Sequence, residues 1–444
     1  MNKPSPSKNP LLYGTLLLTA SGVLCRILGF LYRIFLSRTI GAREVGIYQL
    51  VFPISVLLLS LCSAGMQTTI SNFVAKKSTS RHDDVPSVRA IVGIGLGLSG
   101  GLSILLALLL WFYAPYVAQV LLQNDAYAPH LQVIALYILP ATLHACINGY
   151  YYGRKKASVP ALTQVIEQLA RILGVLLLYQ IVHESHQEFT AIYALWGLVI
   201  GELFGLLASL IALCLEKHTP TSTCRKPLPF VPQMLCYAIP LVLNHTLLHL
   251  CSCVENILVP NQLQLYGYSS NQALEILGVL SGMVIPVIFC PCVLTNSMSV
   301  LLLPAISEAH AAGNTKTIHL YIRRSVTFGT LLGFCCTLGF LCFGQLMGNL
   351  LFANTLAGSM ICKLSWLSPL LFVHSLFTGI LQGLGKVGRV LLIQVLSFGI
   401  RFGGLFVLVP KYGISSLLWS MILAQLFSVI ADLYSIQKMS QELA

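Results

Sequence analysis

The chain has 444 residues, 56% of them apolar and only 9% charged, with a mean hydropathy of +0.81. An ordinary soluble domain is about one quarter charged, so a water-soluble fold is excluded. The apolar residues suffice for roughly twelve membrane spans of about 20 residues each.

The start, Met1 to Pro10, is polar and carries Lys3 and Lys8. The apolar run behind it is too long for the core of a cleavable signal. That run, roughly 11–36, is the first expected span. Others follow at roughly 47–74, 90–112, 131–152, 159–182, 189–215, 231–258, 274–303, 321–343, 359–382, 390–409 and 414–434. The fold class is therefore an all-α polytopic membrane protein of about twelve spans. No soluble domain interrupts them, so function must sit within the membrane or at its edges.

The loops orient the spans. One set holds Lys3, Lys8, Lys76, Lys77, Arg81, Arg89, Arg154, Lys155, Lys156, Lys217, Arg225, Lys226, Lys316, Arg323, Arg324, Lys386, Arg389 and Lys438. The alternate set holds only Arg38, Arg43 and Lys411. Cytoplasmic loops collect Lys and Arg, so both termini are expected in the cytoplasm. The net charge of +12 thus reads as orientation, and no nucleic-acid partner is implied. The fourteen cysteines are scattered through apolar stretches and behave as small hydrophobes, with no framework of spaced pairs.

An internal repeat appears at a shift of 230 residues. It pairs His144 with His374, Gly149 with Gly379, Gly153 with Gly383 and Lys156 with Lys386. Further on it pairs Gln164 with Gln394, Arg171 with Arg401 and Gly174 with Gly404. Shared apolar composition does not explain identities of His, Lys, Gln and Arg. The expected organisation is a six-helix bundle over 1–216, a linker over 217–230 and a second bundle over 231–444. Six spans per half give both halves one orientation, with a central cavity between them, an architecture typical of transporters.

Ionisable residues left within the spans are Arg26, Arg33, Glu167, Arg171, Glu202, Glu255, Lys363, Arg401 and Asp432. Each costs about 2.5–3.5 kcal/mol at a helix centre, so each should face a cavity or a partner. Arg26 and Arg33 lie two turns apart on one helix face. With Arg171 and its repeat mate Arg401 they form a candidate anion site, because the planar guanidinium binds phosphate bidentately. Arg33 also fits snorkelling to the interface. Glu167 and Arg171 are spaced for an intrahelical ion pair. Arg401 has Ser397 at the matching position, so it needs a ligand, water or an acid from another helix. Glu167, Glu202, Glu255 and Asp432 are candidates to carry a coupling proton or sodium ion, but Glu202 and Asp432 lie near span ends, where simple hydration also accounts for them. His245, His249, Cys251 and Cys253 do not converge as tetrahedral ligands, and Cys290-Pro291-Cys292 lacks redox spacing, so no metal is expected. Nucleotide, hydrolase and protease motifs are absent, and the chain does not read as an enzyme.

Arg26-Ile27-Leu28-Gly29-Phe30-Leu31-Tyr32-Arg33-Ile34, Gly46-Ile47-Tyr48-Gln49 and Phe52-Pro53-Ile54 resemble the stage V sporulation protein B group. The stretches Ser281-Gly282-Met283-Val284-Ile285-Pro286 and Leu303-Pro304-Ala305-Ile306-Ser307-Glu308-Ala309 are similar to it as well. That group belongs to the polysaccharide-transporter branch of the multidrug/oligosaccharidyl-lipid/polysaccharide flippase superfamily, and is related to the lipid II flippase.

The resemblance implies an alternating-access flippase for polyprenyl-pyrophosphate-linked sugars in a bacterial plasma membrane. Arg26 and Arg33 would contact the pyrophosphate. Membrane lipids are the expected surroundings, a monomer the expected state, and no cofactor is implied beyond coupling to proton, sodium or membrane potential. The sequence departs from the group at Glu255-Asn256, followed by Pro260-Asn261-Gln262-Leu263, where an arginine is usual. Two rivals remain: a multidrug or cation antiporter of the same superfamily, and a membrane-integral glycan polymerase or ligase. The first wants an acid-rich cavity and the second a large outer loop.

Overall fold

The computed structural model describes residues 10–79, 87–216 and 230–442. Lys3, Lys8, Arg81, Lys217, Arg225, Lys226 and most of the expected linker lie outside the described residues. The described residues form helices and short connections, with no strand among them. The helices are α1 (Pro10–Leu59), α2 (Gly65–Thr79), α3 (Val88–Leu121), α4 (Ala128–Gly153), α5 (Ser158–Glu184) and α6 (Ala191–Leu215). After them come α7 (Val231–Tyr266), α8 (Ser270–Leu277), α9 (Ile285–Phe289), α10 (Cys292–Ala311) and α11 (Thr315–Phe352). The chain closes with α12 (Thr355–Leu364), α13 (Leu367–Gly383), α14 (Val387–Val407), α15 (Val409–Tyr412) and α16 (Ile414–Glu442).

Eleven of these runs, or twelve with one bent pair, are long and apolar enough to cross a membrane. This is a multi-pass membrane protein. Its spans are divided differently from the sequence pattern at three places. The first two expected spans are one helical run, Leu17–Lys77, broken in direction at Gly41, whose φ of 77° is left-handed backbone that suits glycine. The eighth is split at Cys290-Pro291, because Pro291 has no N–H to continue the ladder. The tenth is bent by 56° between α12 and α13. There Pro369 cannot donate to the Ser365 carbonyl, which accepts the Ser368 N–H at 3.1 Å and has the Thr337 hydroxyl of α11 at 3.0 Å.

Two compact units result. The first comprises Met1–Tyr32 and Leu50–Cys253, the second Arg33–Gln49 and Val254–Ala444. These limits differ from the sequence-drawn halves at α1 and α7, each of which gives its first part to one unit and its second to the other.

The repeat is visible in how each unit packs. In the first, Gly149 and Gly153 of α4 lie on the backbone of α2: a Cβ at either would meet the Gln67 or Ser71 carbonyl at 2.6 Å. In the second, Gly379 and Gly383 of α13 lie on α10, where a Cβ would meet the Ser299 and Leu303 carbonyls at 2.7 and 2.8 Å. Small residues permit this approach, and in lipid such packing replaces the missing hydrophobic drive between helices. Around these crossings sit the two apolar cores, Ile70, Phe73, Ile147 and Tyr151 in one and Ile306, Leu376, Phe377 and Ile380 in the other.

Gly149→Ala and Gly379→Ala should each destabilise the protein by about 1–3 kcal/mol, since backbone cannot yield as a side chain can. Gly97→Ala, where a Cβ would meet nothing within 4 Å, should leave the melting temperature unchanged. Thermal unfolding of the three variants in one detergent checks this.

Candidate functional site

In the first unit α1 docks through a stripe of Cys25, Gly29 and Tyr32. The Cys25 thiol donates to the Gln164 carbonyl of α5 at 3.6 Å, and a Cβ at Gly29 would meet Gln168 Nε2 at 3.6 Å. Arg26 lies one position off that stripe, so its side chain is turned away from α5 and exposed. No ion pair to Arg26 occurs among the described residues. Arg33 is also exposed and belongs to the second unit.

The remaining in-span charges of the first unit gather on α4, α5 and α6. The Arg171 guanidinium pairs with Glu167 one turn before it and donates to Gln168 Oε1 at 3.3 Å. The ion pair offered by the i, i+4 spacing is therefore formed. Beside it, His144 Nδ1 and Glu202 Oε2 are 3.0 Å apart, and His144 Nε2 is 3.3 Å from the Thr163 hydroxyl. Both partners are buried. Glycines make the room: a Cβ at Gly205 would strike the His144 ring at 2.9 Å, and one at Gly201 would meet the Glu167 carbonyl at 2.9 Å. One ligand atom each from His144, Glu167 and Glu202 lie within 4.8 Å of one another. Each of these atoms already has a protein partner, so the group is a hydrogen-bonded network.

The second unit repeats the theme with different acids. Arg401 Nη2 is 2.6 Å from Glu255 Oε1, which comes from α7, and the guanidinium lies over the Phe398 ring at 5.3 Å. Arg401 therefore meets its need through an acid from another helix. His374 Nδ1 lies 2.6 Å from Asp432 Oδ2, and Asp432 is wholly buried.

The structure corrects two expectations. Glu202 and Asp432 are not hydrated span ends; both are buried and each pairs with a histidine. The signal was available, because the shift that relates His144 to His374 also relates Glu202 to Asp432. Of the four arginines proposed for an anion, Arg171 and Arg401 carry their own carboxylates. Lys363 is exposed in the last turn of α12, beside the bend.

Known proteins share both the sequence pattern and this fold. Residues 11–310 match the model of a family described as polysaccharide biosynthesis protein. The chain belongs to that family. Stage V sporulation protein B of Bacillus subtilis (strain 168) is 26% identical over 416 residues, covering 92% of this chain and 80% of that protein. Lipid II flippase MurJ of the same organism is 24% identical over 413 residues, covering 85% and 73%. A solved structure of lipid II flippase MurJ in an inward closed conformation superposes with a TM-score of 0.72 at 14% identity, covering 95% of this chain and 87% of that one. This member of the polysaccharide biosynthesis family thus shares its fold with a lipid II flippase.

Outside the spans, Glu216 follows α6 and ties it to the end of α4. It accepts from Tyr150 Oη at 2.9 Å and pairs with Lys156, with Arg154 at 3.8 Å. Burial acts to raise its carboxyl, but the hydrogen bonds from Lys156 and Tyr150 outweigh this and hold it below the ordinary carboxylate range. A depressed folded value stabilises above the ordinary value and is lost as pH falls through the depressed one. Wild type should melt above Glu216→Gln at neutral pH, and the difference should shrink once the pH falls below the ordinary carboxylate value and vanish only below the depressed one.

A second expectation concerns the ion pair on α7 and α14. Glu255→Gln should destabilise by about 1–3 kcal/mol because it strands a half-buried guanidinium, and adding Arg401→Gln should recover most of the loss. A thermal-melt double-mutant cycle measures the coupling, expected between about 0.5 and 3 kcal/mol.

Proposed function

We propose that the protein is an alternating-access flippase for polyprenyl-pyrophosphate-linked oligosaccharide or peptidoglycan precursor across a bacterial plasma membrane, with both termini cytoplasmic. The observation that carries this reading is Arg26. It is an exposed arginine near the middle of an apolar span, with no ion pair among the described residues. Such a group is costly in lipid unless its task is to meet an anion. A pyrophosphate answers that task, since the planar fork takes two phosphate oxygens at once.

Arg33 extends the same helix face by two turns. Arg171 and Arg401 are paired with Glu167 and Glu255. A pyrophosphate that competes for either guanidinium frees the acid to take a proton or sodium ion, which ties substrate to coupling ion. The partners are then the lipid-linked sugar and membrane lipids, and the protein acts as a monomer without nucleic acid. The named relatives support this reading, one being a lipid II flippase and another a sporulation protein. A cation antiporter suits less well, because the unpaired in-span charge is positive.

Reconstitution into liposomes with a labelled lipid-linked sugar tests the proposal. Arg26→Ala should abolish translocation while leaving the melting temperature unchanged, because the lost contact is to phosphate and not to packing. Arg26→Lys should recover part of the rate, keeping charge without the fork. Translocation by Arg26→Ala at the parental rate would overturn the assignment.

A further inference from the structure

The two histidine–carboxylate pairs stand outside the pyrophosphate reading. They occupy equivalent positions in the repeat, His144 with Glu202 and His374 with Asp432, each joining a neighbouring pair of helices in its own unit. Duplicated apolar segments do not retain a buried imidazole and a buried acid for packing alone, since hydrophobic residues of similar volume serve as well or better.

We propose that each pair is a proton-binding site, one per unit. The hydrogen-bond inventory around His144 carries the argument. Thr163 Oγ1 lies 3.3 Å from His144 Nε2 and 3.2 Å from the Pro160 carbonyl, so its one hydrogen can go to either. In the proton-free state Nδ1–H donates to the Glu202 carboxylate and Nε2 accepts the Thr163 hydroxyl. When a proton arrives from water it binds Nε2. The new Nε2–H donates to Thr163 Oγ1, and the hydroxyl hydrogen swings to the Pro160 carbonyl. Both states satisfy every hydrogen bond without moving a helix, and a fixed clasp would need only one of them.

The charge balance points the same way. From α5, Glu167 and Arg171 face His144, and from α6 Glu202 does. α2 carries charge only at Lys76 and Lys77 in its last turn, and α3 only at Arg89 in its first. The cluster is therefore net −1 with neutral imidazole and neutral once protonated, which is the cheaper state in hydrocarbon. Among the described residues the ion-pair partner of His374 is Asp432 of α16. α10 carries Glu308 and His310 only in its last turn, the charges of α11, Lys316, Arg323 and Arg324, sit in its first turns, and on α14 Arg389 is in the first turn while Arg401 is paired with Glu255. On α14 the equivalents of Thr163 and Glu167 are Ile393 and Ser397. Asp432 Oδ1 is buried and makes no hydrogen bond, so an anionic Asp432 beside neutral imidazole is the costlier state there too.

Nitrogen-15 NMR of histidine-labelled full-length protein in nanodiscs tests this without substrate, so failure of the flippase reading would not affect it. The eleven histidines are separated by loss of one ring signal in His144→Gln and another in His374→Gln. Both rings should interconvert between neutral and doubly protonated forms as the pH is changed. The step of His144 should be lost in Glu202→Gln, and that of His374 in Asp432→Asn, with each retained in the other variant. These replacements keep side-chain shape, and a matching melting temperature confirms the fold. Rings that hold one state throughout the titration would overturn the proposal, as would signals that answer to sodium at fixed pH and not to pH itself.

Discussion

An ionised side chain buried in hydrocarbon must find an opposite charge or a fixed dipole, and most of the distinctive features here follow from that requirement. Glu167, Arg171, Glu202, Glu255, Arg401 and Asp432 all lie within spans, and each has a charged or histidine partner. At an effective dielectric of about 20, two unit charges about 4 Å apart interact by about 4 kcal/mol, comparable with the insertion cost of a single charge. Pairing therefore brings the cost of each residue close to balance. Arg26 and Lys363 are exposed and outside any ion pair among the described residues, and of the two Arg26 lies nearer the middle of its span. An exception to so general a rule is where a charged ligand is to be sought.

The pairs exist because the helices come close enough to form them. Gly201 and Gly205 let α6 approach α5 and α4, so that Glu202 reaches His144 and the Glu167 backbone sits against α6. With larger residues the acids would still be in the membrane but out of reach of their partners. Glycine packing and charge pairing are one design seen at two scales, the first setting the distance that the second requires.

Much of this architecture is legible in the amino-acid sequence. Apolar runs and alternating loop charge point to an all-helical protein of about twelve spans, and the spacing of Glu167 and Arg171 points to their ion pair. What escapes a reading along the chain is long-range. No local pattern says that Glu255 of α7 meets Arg401 of α14, because the contact joins residues far apart in sequence. Nor does distance from a span end reveal burial: Asp432 lies near the end of its apolar run yet is wholly enclosed. Proline positions are visible, but not the contact between Thr337 of α11 and the Ser365 carbonyl at the bend of α12 and α13. The repeat shift is the one sequence signal able to reach such contacts, since it carries a pair in one half to a pair in the other.

The repeat also shows where the two halves have parted chemically. Arg171 and Arg401 are retained, but the acid serving them has moved: Glu167 sits on the same helix as Arg171, whereas Glu255 comes from α7. The position of Glu255 corresponds to Cys25 at the repeat shift, and that of Glu167 to Ser397. In the first unit this places four ionisable groups, His144, Glu167, Arg171 and Glu202, in one network. In the second unit the acid beside Arg401 is carried by a helix that also contributes to the first unit. Arg171 and its acid thus lie on one helix, whereas Arg401 and its acid lie on two.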